Sequence, residues 1–280
     1  MNIILLAIVS LGGIGALGAL ILYFASKKFE VYEDPRISQI QELLPAANCG
    51  ACGFPGCGGF ASAAVNSSSL SGLHCPVGGN ATMSLIAEAL GMNVENTAQK
   101  IAVVRCNGTC ENRPKTNRYG GVASCAIASL LYGGETACSY GCLGFGDCVK
   151  VCPFDAIRIN RLTGLPEVED EKCTACGKCV KACPKLLIEL RKKGTKSRRI
   201  YVNCMNKDKP AVAMKSCRVS CISCKKCLKA CPFDAITIEN NLAYINDDKC
   251  RLCRKCVSEC PNASIAELNF PIKKERVENV

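Results

Sequence analysis

The 280-residue chain contains no tryptophan, only 5% aromatic residues and a single histidine, His74. Histidine is the side chain that most often serves as a general acid or base near neutral pH, and the sequence pairs no nucleophile with such a base. The one GxGxxG pattern, over Gly13–Gly18, lies inside an apolar run with no strand before it, which argues against a dinucleotide site. The sequence therefore offers no site for bond chemistry on a small substrate.

Cysteine, by contrast, is extremely abundant, with 25 residues in the chain. Such a count in a secreted chain would indicate disulfides, but these cysteines cluster at gaps of two to four residues, too short to cross-link a fold, and their number is odd. The pattern favours metal ligation in a reducing compartment. A non-redox scaffold of zinc sites or disulfides is the remote alternative.

The most regular stretch is Cys221–Cys260, where C-x2-C-x2-C-x3-C-P occurs twice. This is the run by which bacterial ferredoxins hold [4Fe–4S] clusters, with three cysteines on one cluster and the fourth on the other. We expect the fourth cysteine of each run to open a helix that leads to the second cluster. The pattern predicts two ligand sets: Cys221, Cys224, Cys227 and Cys260; and Cys250, Cys253, Cys256 and Cys231.

A similar arrangement of cysteine runs occurs about 79 residues earlier in the chain. In each copy the sequence PFDAI follows the leading run, beginning at Pro153 and at Pro232. The earlier copy is irregular, because Phe145 stands where the later copy has Cys224. We therefore predict two tandem ferredoxin modules. By analogy, the first module has these two ligand sets: Cys138, Cys142, Cys148 and Cys183; and Cys173, Cys176, Cys179 and Cys152.

A further cysteine motif, NCGACGFPGCGGFA, lies nearer the N-terminus and is followed by Cys75-Pro76. Its glycines let the backbone pass close to a cluster and donate amides to its sulfurs. We expect a small separate domain with a fifth [4Fe–4S] cluster, held by Cys49, Cys52, Cys57 and Cys75. His74 could be a ligand or a proton carrier, although a supporting role beside the ligands is favoured.

Five cysteines are left over: Cys106, Cys110, Cys125, Cys204 and Cys217. They suffice for a sixth cluster with one thiol to spare. One possible set is Cys106, Cys110 and Cys125 with either Cys204 or Cys217. The alternative is that they are buried or free thiols, because cysteine packs well as a small hydrophobic residue.

The formal net charge of +11 counts every thiol as neutral. Five [4Fe–4S]2+ clusters with thiolate ligands would contribute a charge of about −10, so the basic balance is not evidence for nucleic acid binding. The basic segment Arg191–Arg199 and the lysines Lys225, Lys226 and Lys229 could receive an acidic soluble ferredoxin. A solvated face that offsets the cluster charge explains them equally well.

Residues Asn2–Phe24 form an apolar run long enough to span a bilayer. Lys27 and Lys28 follow it and no basic residue precedes it, so the positive-inside rule predicts a single-pass anchor with its N-terminus outside the cytoplasm. A cleaved signal peptide is the alternative, but a basic leading region is lacking. The small residues between Gly12 and Ala19 suit close packing against neighbouring membrane subunits.

These observations predict an α+β chain with a transmembrane anchor (1–28), a linker (29–45), a small [4Fe–4S] domain (46–105), two ferredoxin modules (106–195 and 196–270) and a tail (271–280). The linker contains one short helix, Ile37–Leu44, which ends at Pro45. Thr82–Leu90 has a helical pattern and Ile101–Val104 a strand pattern. Both are expected to complete the core of the small domain.

The order of anchor, C-x2-C-x4-C domain and ferredoxin modules resembles the B subunit of the Rnf complex, a membrane ferredoxin:NAD oxidoreductase that pumps ions. NCGACGFPGCGGFA and GCLGFGDCVKVCPFDAI carry the resemblance. It implies an electron-transfer subunit on the cytoplasmic side of the bacterial inner membrane, which accepts electrons from reduced ferredoxin and passes them to other subunits, where the nicotinamide and flavins reside.

The second module and the extra cysteines resemble the forms found in anaerobic bacteria. The alternative function is that of a membrane-anchored polyferredoxin in another complex, of the hydrogenase or formate dehydrogenase type. Under either function the chain is an electron relay with no active site of its own.

Overall fold

The computed structural model describes residues 3–28, 34–131 and 133–271, with side chains from residue 8 onward. Helix α1 (Ile3–Lys28) is the one helix of this described part that is long and apolar enough to cross a membrane. Its apolar side chains are exposed, for example Leu11 at 72%. Such a face is stable only against lipid or other apolar helices. The predicted tail beyond Pro271, and residues 29–33 of the predicted linker, lie outside the described residues.

The small domain is built from helices α2 (Pro35–Leu43), α3 (Gly56–Asn66) and α4 (Gly79–Leu90). Asp34 caps α2 by accepting a hydrogen bond from the Arg36 backbone amide at 2.9 Å. The helix ends before Pro45 because the residue that precedes a proline is disfavoured in the helical region. Gly91 ends α4 in the left-handed conformation, with φ of 63°.

The predicted linker takes part in the core of this domain. Ile40 and Leu44 are 1% and 5% exposed and pack with Phe60 of α3 and Ile86 of α4. Residues 34–44 are therefore an integral part of the small domain, because burying an apolar helix face outweighs the freedom of a linker.

The remainder of the described chain contains two similar halves, each with two antiparallel pairs of short strands, and they are called the first and second modules below. In the first module β1 (Lys100–Val104) pairs with β4 (Ile188–Lys192), and β2 (Ile157–Ile159) pairs with β3 (Pro166–Val168). In the second module β5 (Arg199–Val202) pairs with β8 (Ile265–Leu268), and β6 (Ile236–Glu239) pairs with β7 (Leu242–Ile245).

Five short helices accompany these strands, and they are α5 (Cys125–Leu131), α6 (Asp147–Lys150), α7 (Lys178–Ala182), α9 (Lys226–Ala230) and α10 (Lys255–Ser258). Helix α8 (Pro210–Ser216) precedes the cysteine runs of the second module, and a single 3-10 turn, Thr195–Ser197, connects the modules.

Strand β1 corrects the predicted domain boundary. The sequence pattern identified the strand, but we expected it to complete the small domain. Instead Lys100 pairs with Lys192 and Val104 with Ile188, at the two ends of the register with β4. Ala102 and Val104 pack with Cys148 and Ile157 of the first module, and Ile101 and Val103 pack with Tyr201 of the second, so the strand is buried against the modules.

The two modules share a buried interface held together by arginines. Arg199, 4% exposed, donates to both carboxylate oxygens of Asp170 in the first module, at 2.7 and 2.8 Å. Arg105 donates to the Val202 carbonyl at 3.1 Å, and Arg191 donates to the Ile245 carbonyl. Buried arginines with bidentate or carbonyl partners fix the position of one module on the other.

Candidate iron–sulfur sites

The cysteine runs share one backbone design. Helices α6, α7, α9 and α10 each contain the third cysteine of a run and end at or just before the fourth. The expectation that the fourth cysteine opens a helix is therefore wrong. It lies at the C-terminal end, where the chain must turn away anyway, and the following proline cannot extend the helix.

Positive φ angles recur at equivalent places in these loops. The residue before the second ligand position of each run has a positive φ, and these residues are Gly144, Ala175, Ser223 and Leu252. The residue just before each of the four helices is left-handed as well: Gly146, Gly177, Lys225 and Arg254. Non-glycine residues adopt this conformation at a cost of about 1–2 kcal/mol each, and such strain concentrates at functional sites.

Each run encloses a cavity lined by four thiols. Among the described residues no group of three His, Cys, Asp or Glu side chains could hold a single metal ion; the thiols instead surround space. Four such cavities have these cysteines in their walls: Cys221, Cys224, Cys227 and Cys260; Cys231, Cys250, Cys253 and Cys256; Cys152, Cys173, Cys176 and Cys179; and Cys125, Cys142, Cys148 and Cys183. This arrangement fits a bulky inorganic cluster.

The last of these sets differs from the expected one. We expected Cys138 beside Cys142, Cys148 and Cys183, but Cys125 lines that cavity and Cys138 lines another. The physical reason is Phe145. Because the loop lacks a thiol at that position, helix α5 brings Cys125 in from outside the run.

Asp147 fixes the start of α5. Its carboxylate accepts hydrogen bonds from the Ser124 hydroxyl at 2.8 Å and from the Ala126 backbone amide at 3.0 Å. Burial opposes ionisation of this carboxyl, yet these hydrogen bonds and Lys150 hold its pKa below the ordinary value. Asp147 thus positions Cys125, and it also lines the cavity.

The donor chemistry of these cavities suits a cluster. Burial, helped by neighbouring cysteines, raises the pKa of the Cys179 and Cys256 thiols to about 12. Thiols so placed remain protonated unless a cationic group such as iron stabilises the thiolate. The Thr174 hydroxyl is buried beside Cys173 without a hydrogen-bond partner among the described residues, and it could donate to a cluster sulfur.

Backbone amides donate to the ligand sulfurs at repeated positions. The amide four residues beyond the fourth cysteine lies 3.3–3.4 Å from its sulfur, as in Ala156 to Cys152, Leu187 to Cys183 and Ser264 to Cys260. Such N–H···S contacts stabilise thiolate charge and tune cluster potentials.

In the small domain, the four predicted ligands lie on and around α3. The Cys75 sulfur accepts from the Gly78 amide at 3.4 Å, and Cys52 and Cys57 pack against the same core as Cys75. Burial raises the pKa of the Cys75 thiol.

Gly56 is needed at the start of α3. Its φ is +79°, and a β-carbon there would lie 2.9 Å from Asn48 Oδ1, which accepts from the Cys57 amide. His74 is half-buried, and its Nδ1 lies 3.0 Å from the Thr97 hydroxyl. Burial, followed by the charge of Lys100, lowers the pKa of His74. Its supporting role beside Cys75 stays a prediction.

The two basic regions of the sequence have different surroundings. In the segment Arg191–Arg199 the two end arginines are buried and paired, and Lys192 pairs with Asp248. That segment serves mainly as the module interface. Lys225, Lys226 and Lys229 are exposed and follow Cys224, a predicted ligand that is exposed as well.

Family models match the chain in four places. One described as a putative Fe-S cluster matches residues 44–72. Three described as 4Fe-4S dicluster domains match residues 136–188, 172–236 and 220–264. The matches cover the N-terminal cysteine motif and both modules, and the middle one extends from the first module into the second.

Curated proteins match most of the chain. The B subunit of a Na(+)-translocating ferredoxin:NAD(+) oxidoreductase complex, from Acetobacterium woodii, is 47% identical over 90% of this chain and 74% of its own length. The B subunit of a proton-translocating ferredoxin:NAD(+) oxidoreductase complex, from Clostridium ljungdahlii, is 41% identical, over 89% and 87%. The B subunit of an ion-translocating oxidoreductase complex, from Methanosarcina acetivorans, is 37% identical, over 89% and 92%.

Proposed function

Since this chain belongs to the family of B subunits of ion-translocating ferredoxin:NAD+ oxidoreductase (Rnf) complexes, we propose that it carries electrons from reduced ferredoxin, through [4Fe–4S] clusters, to other subunits of such a complex. The observation that carries the proposal is the repeated enclosure of a cavity by four thiols in both modules. A [4Fe–4S] cluster supplies one-electron chemistry without bond making.

Five ligand sets support this relay. They are the set of the small domain and the four sets of the modules: Cys49, Cys52, Cys57 and Cys75; Cys125, Cys142, Cys148 and Cys183; Cys152, Cys173, Cys176 and Cys179; Cys221, Cys224, Cys227 and Cys260; and Cys231, Cys250, Cys253 and Cys256. The protein holds the thiolates, excludes water by burial and donates amides to sulfur.

Electrons enter, in this proposal, at the second module. Cys224 and Cys253 are exposed, whereas the ligand thiols of the first module are buried or half-buried. The lysines around Cys224 form a positive surface suited to an acidic soluble ferredoxin, and an exposed ligand shortens the distance to a docked donor. In this proposal, electrons then pass through the clusters of the first module to the small domain.

Helix α1 anchors the relay. Its exposed apolar face spans a bilayer in this proposal, with the N-terminus outside and the cluster domains on the cytoplasmic side, since Lys27 and Lys28 follow the span. Other membrane subunits would receive the electrons.

The test is ferredoxin-driven NAD+ reduction by the intact complex carrying Cys52→Ala, which removes a ligand in the small domain. We expect the reaction to be abolished while reduced ferredoxin still bleaches the clusters of both modules. A Ser69→Ala variant, at an exposed site of the same domain, should retain the reaction. Unchanged NAD+ reduction in Cys52→Ala would show that electrons bypass the small domain and would overturn this order.

A further inference from the structure

Five cysteines remain outside the five ligand sets, and four of them line a single cavity between the two modules. These four are Cys106, Cys138, Cys204 and Cys217. The fifth, Cys110, is exposed, with its sulfur 3.7 Å from the Thr163 carbonyl. The cavity lies at the junction that the buried arginines hold together, and Arg105 is part of its wall.

Each module contributes two cysteines from equivalent positions. Cys106 follows strand β1, and Cys204 follows strand β5, each by two residues. Cys138 and Cys217 each precede the first cysteine of a leading run by four residues. The Asn107 amide donates to the Asn203 carbonyl at 3.1 Å and so joins the two segments that follow the strands. Neither module alone has the full set of thiols.

Donors already point at these sulfurs. The backbone amides of Asn206 and Cys221 each lie 3.4 Å from the Cys204 sulfur. The side-chain amide of Asn206, a residue only 1% exposed, lies 3.6 Å from the Cys138 sulfur. Cys204 and Cys138 are therefore in the same kind of amide surroundings as the predicted ligands of the regular runs.

Two buried donors lack an acceptor. Arg113 Nε and Ser220 Oγ have no hydrogen-bond partner among the described residues, and both side chains line this cavity. The Arg113 side chain fits only because two neighbouring residues are glycines. A β-carbon at Gly141 would collide with the Arg113 guanidinium, and a β-carbon at Gly108 would lie 3.2 Å from the Arg113 Cδ. Buried polar groups are costly unless paired, so these donors indicate an acceptor inside the cavity.

We propose that Cys106, Cys138, Cys204 and Cys217 hold a sixth [4Fe–4S] cluster that connects the two modules, and that Arg113 and Ser220 donate to its sulfurs. This inference rests on the proposed electron relay. Four thiolates and a [4Fe–4S]2+ core carry a net negative charge, which the Arg113 cation offsets. Since the reduced cluster carries one more negative charge, Arg113 favours reduction and raises the potential of this cluster.

The cavity touches one ligand set of each module. The Cys221 amide that donates to Cys204 belongs to the leading run of the second module. Leu187 lines both this cavity and the one formed by Cys125, Cys142, Cys148 and Cys183. A cluster held here would therefore lie beside one ligand set of each module and would relay single electrons between them, with no bond or proton transferred.

The first measurement is iron and acid-labile sulfide in the full chain purified without oxygen. We expect about 24 of each per chain, against about 20 for five clusters alone. A count near 20 would overturn the sixth cluster but leave the proposed relay intact, whereas the absence of iron and sulfide would overturn both. This count uses the unmodified chain, so it does not depend on how a variant folds.

Two cysteine variants then test the ligand set. Cys217→Ala should lower the content to about 20, whereas Cys110→Ala, a matched control at the one remaining cysteine, should keep about 24. A value of about 24 in Cys217→Ala would refute the assigned ligands.

Arg113→Gln tests the charge without removing a ligand. We expect full iron content and a more negative midpoint potential for one cluster, while the potentials of the other clusters stay unchanged. Electron paramagnetic resonance during a redox titration measures these potentials. Arg113→Lys should restore part of the shift. Identical titrations for Arg113→Gln and the unmodified chain would overturn the role of Arg113.

Discussion

The two ferredoxin modules share their strand pairing and their ligand loops, but they differ in the residue that precedes each ligand helix. In the first module these residues are Gly146 and Gly177; in the second they are Lys225 and Arg254, held at φ of 63° and 67°. Glycine adopts this conformation without strain, whereas lysine and arginine do not. The second module therefore holds two strained basic residues in the walls of its four-thiol cavities, and one of them, Arg254, is paired with Glu267.

The modules differ also in the source of one ligand. In the second module Cys224 of the loop lines the cavity, and this cysteine is exposed. The first module has Phe145 there, with its ring centroid 5.6 Å from that of Tyr119, and Cys125 of α5 lines the corresponding cavity. The second module thus has exposed thiols in its cavity walls, whereas those of the first module are buried or half-buried.

The largest expected effect on iron content comes from giving the first module the same cysteine spacing as the second. Cys125→Ser should remove one cluster from the first module, or about four iron and four sulfide per chain. Adding Phe145→Cys to this variant creates C-x2-C-x2-C-x3-C from Cys142 to Cys152 and should restore that cluster.

Iron content and the electron paramagnetic resonance of the reduced protein measure both steps. Cys224→Ser is the mirror variant in the second module and should lose the same amount of iron. Retention of all iron in Cys125→Ser alone would contradict the ligand exchange.

A smaller effect is expected at Asp147, whose counterpart in the second module is Lys226. Asp147→Ala removes two hydrogen bonds to a carboxylate, each worth about 1.5–3 kcal/mol, and frees the start of α5. The cluster that Cys125 helps to hold should be lost first on heating, as followed by visible absorbance. Lys226→Ala is the control and should leave the melting of all clusters unchanged; equal melting of both variants would show that Asp147 does not position Cys125.

The smallest expected effect is at Lys225. Lys225→Gly gives the second module the loop residue of the first, so the fold should be retained or slightly stabilised. Electron transfer from reduced ferredoxin should slow, by roughly tenfold at low ionic strength when Lys226 and Lys229 are also changed to Gln. The difference should vanish at high salt, because screening removes steering.

The control for this rate experiment is Lys178→Gln with Lys181→Gln on helix α7 of the first module. Stopped-flow mixing with ferredoxin should show no change for that pair. An equal loss of rate in both modules would refute entry at the second module.

Much of the fold and of the candidate sites could be predicted from the sequence, because the spacing of cysteines in a short loop limits how their sulfurs can be arranged. The sequence predicts three elements that the structure contains: the strand over Ile101–Val104, the helix near Thr82–Leu90 and the long apolar helix. It also shows the regular cysteine runs directly. Family membership followed from two short motifs, and relatives matching about 90% of the chain confirm it.

What the sequence could not supply was the partner of each isolated cysteine. A constant offset of 79 residues aligns Cys125 with Cys204, yet the structural counterpart of Cys204 is Cys106, which follows its strand at the same distance. An insertion between β1 and Cys138 breaks the offset. The pairing of β1 with β4 crosses more than eighty residues, a contact that no local pattern encodes.

The buried Arg199–Asp170 pair has a kinetic consequence. In electron carriers whose domain moves between two partners, the motion displaces solvent, and the rate of transfer therefore falls as the solvent viscosity rises. The two modules are fixed on each other by paired arginines and a common apolar contact around Tyr201, so transfer between them requires no such excursion. Passage of electrons across this junction should therefore be insensitive to glycerol or sucrose, and any dependence of the complex on viscosity must arise at another step.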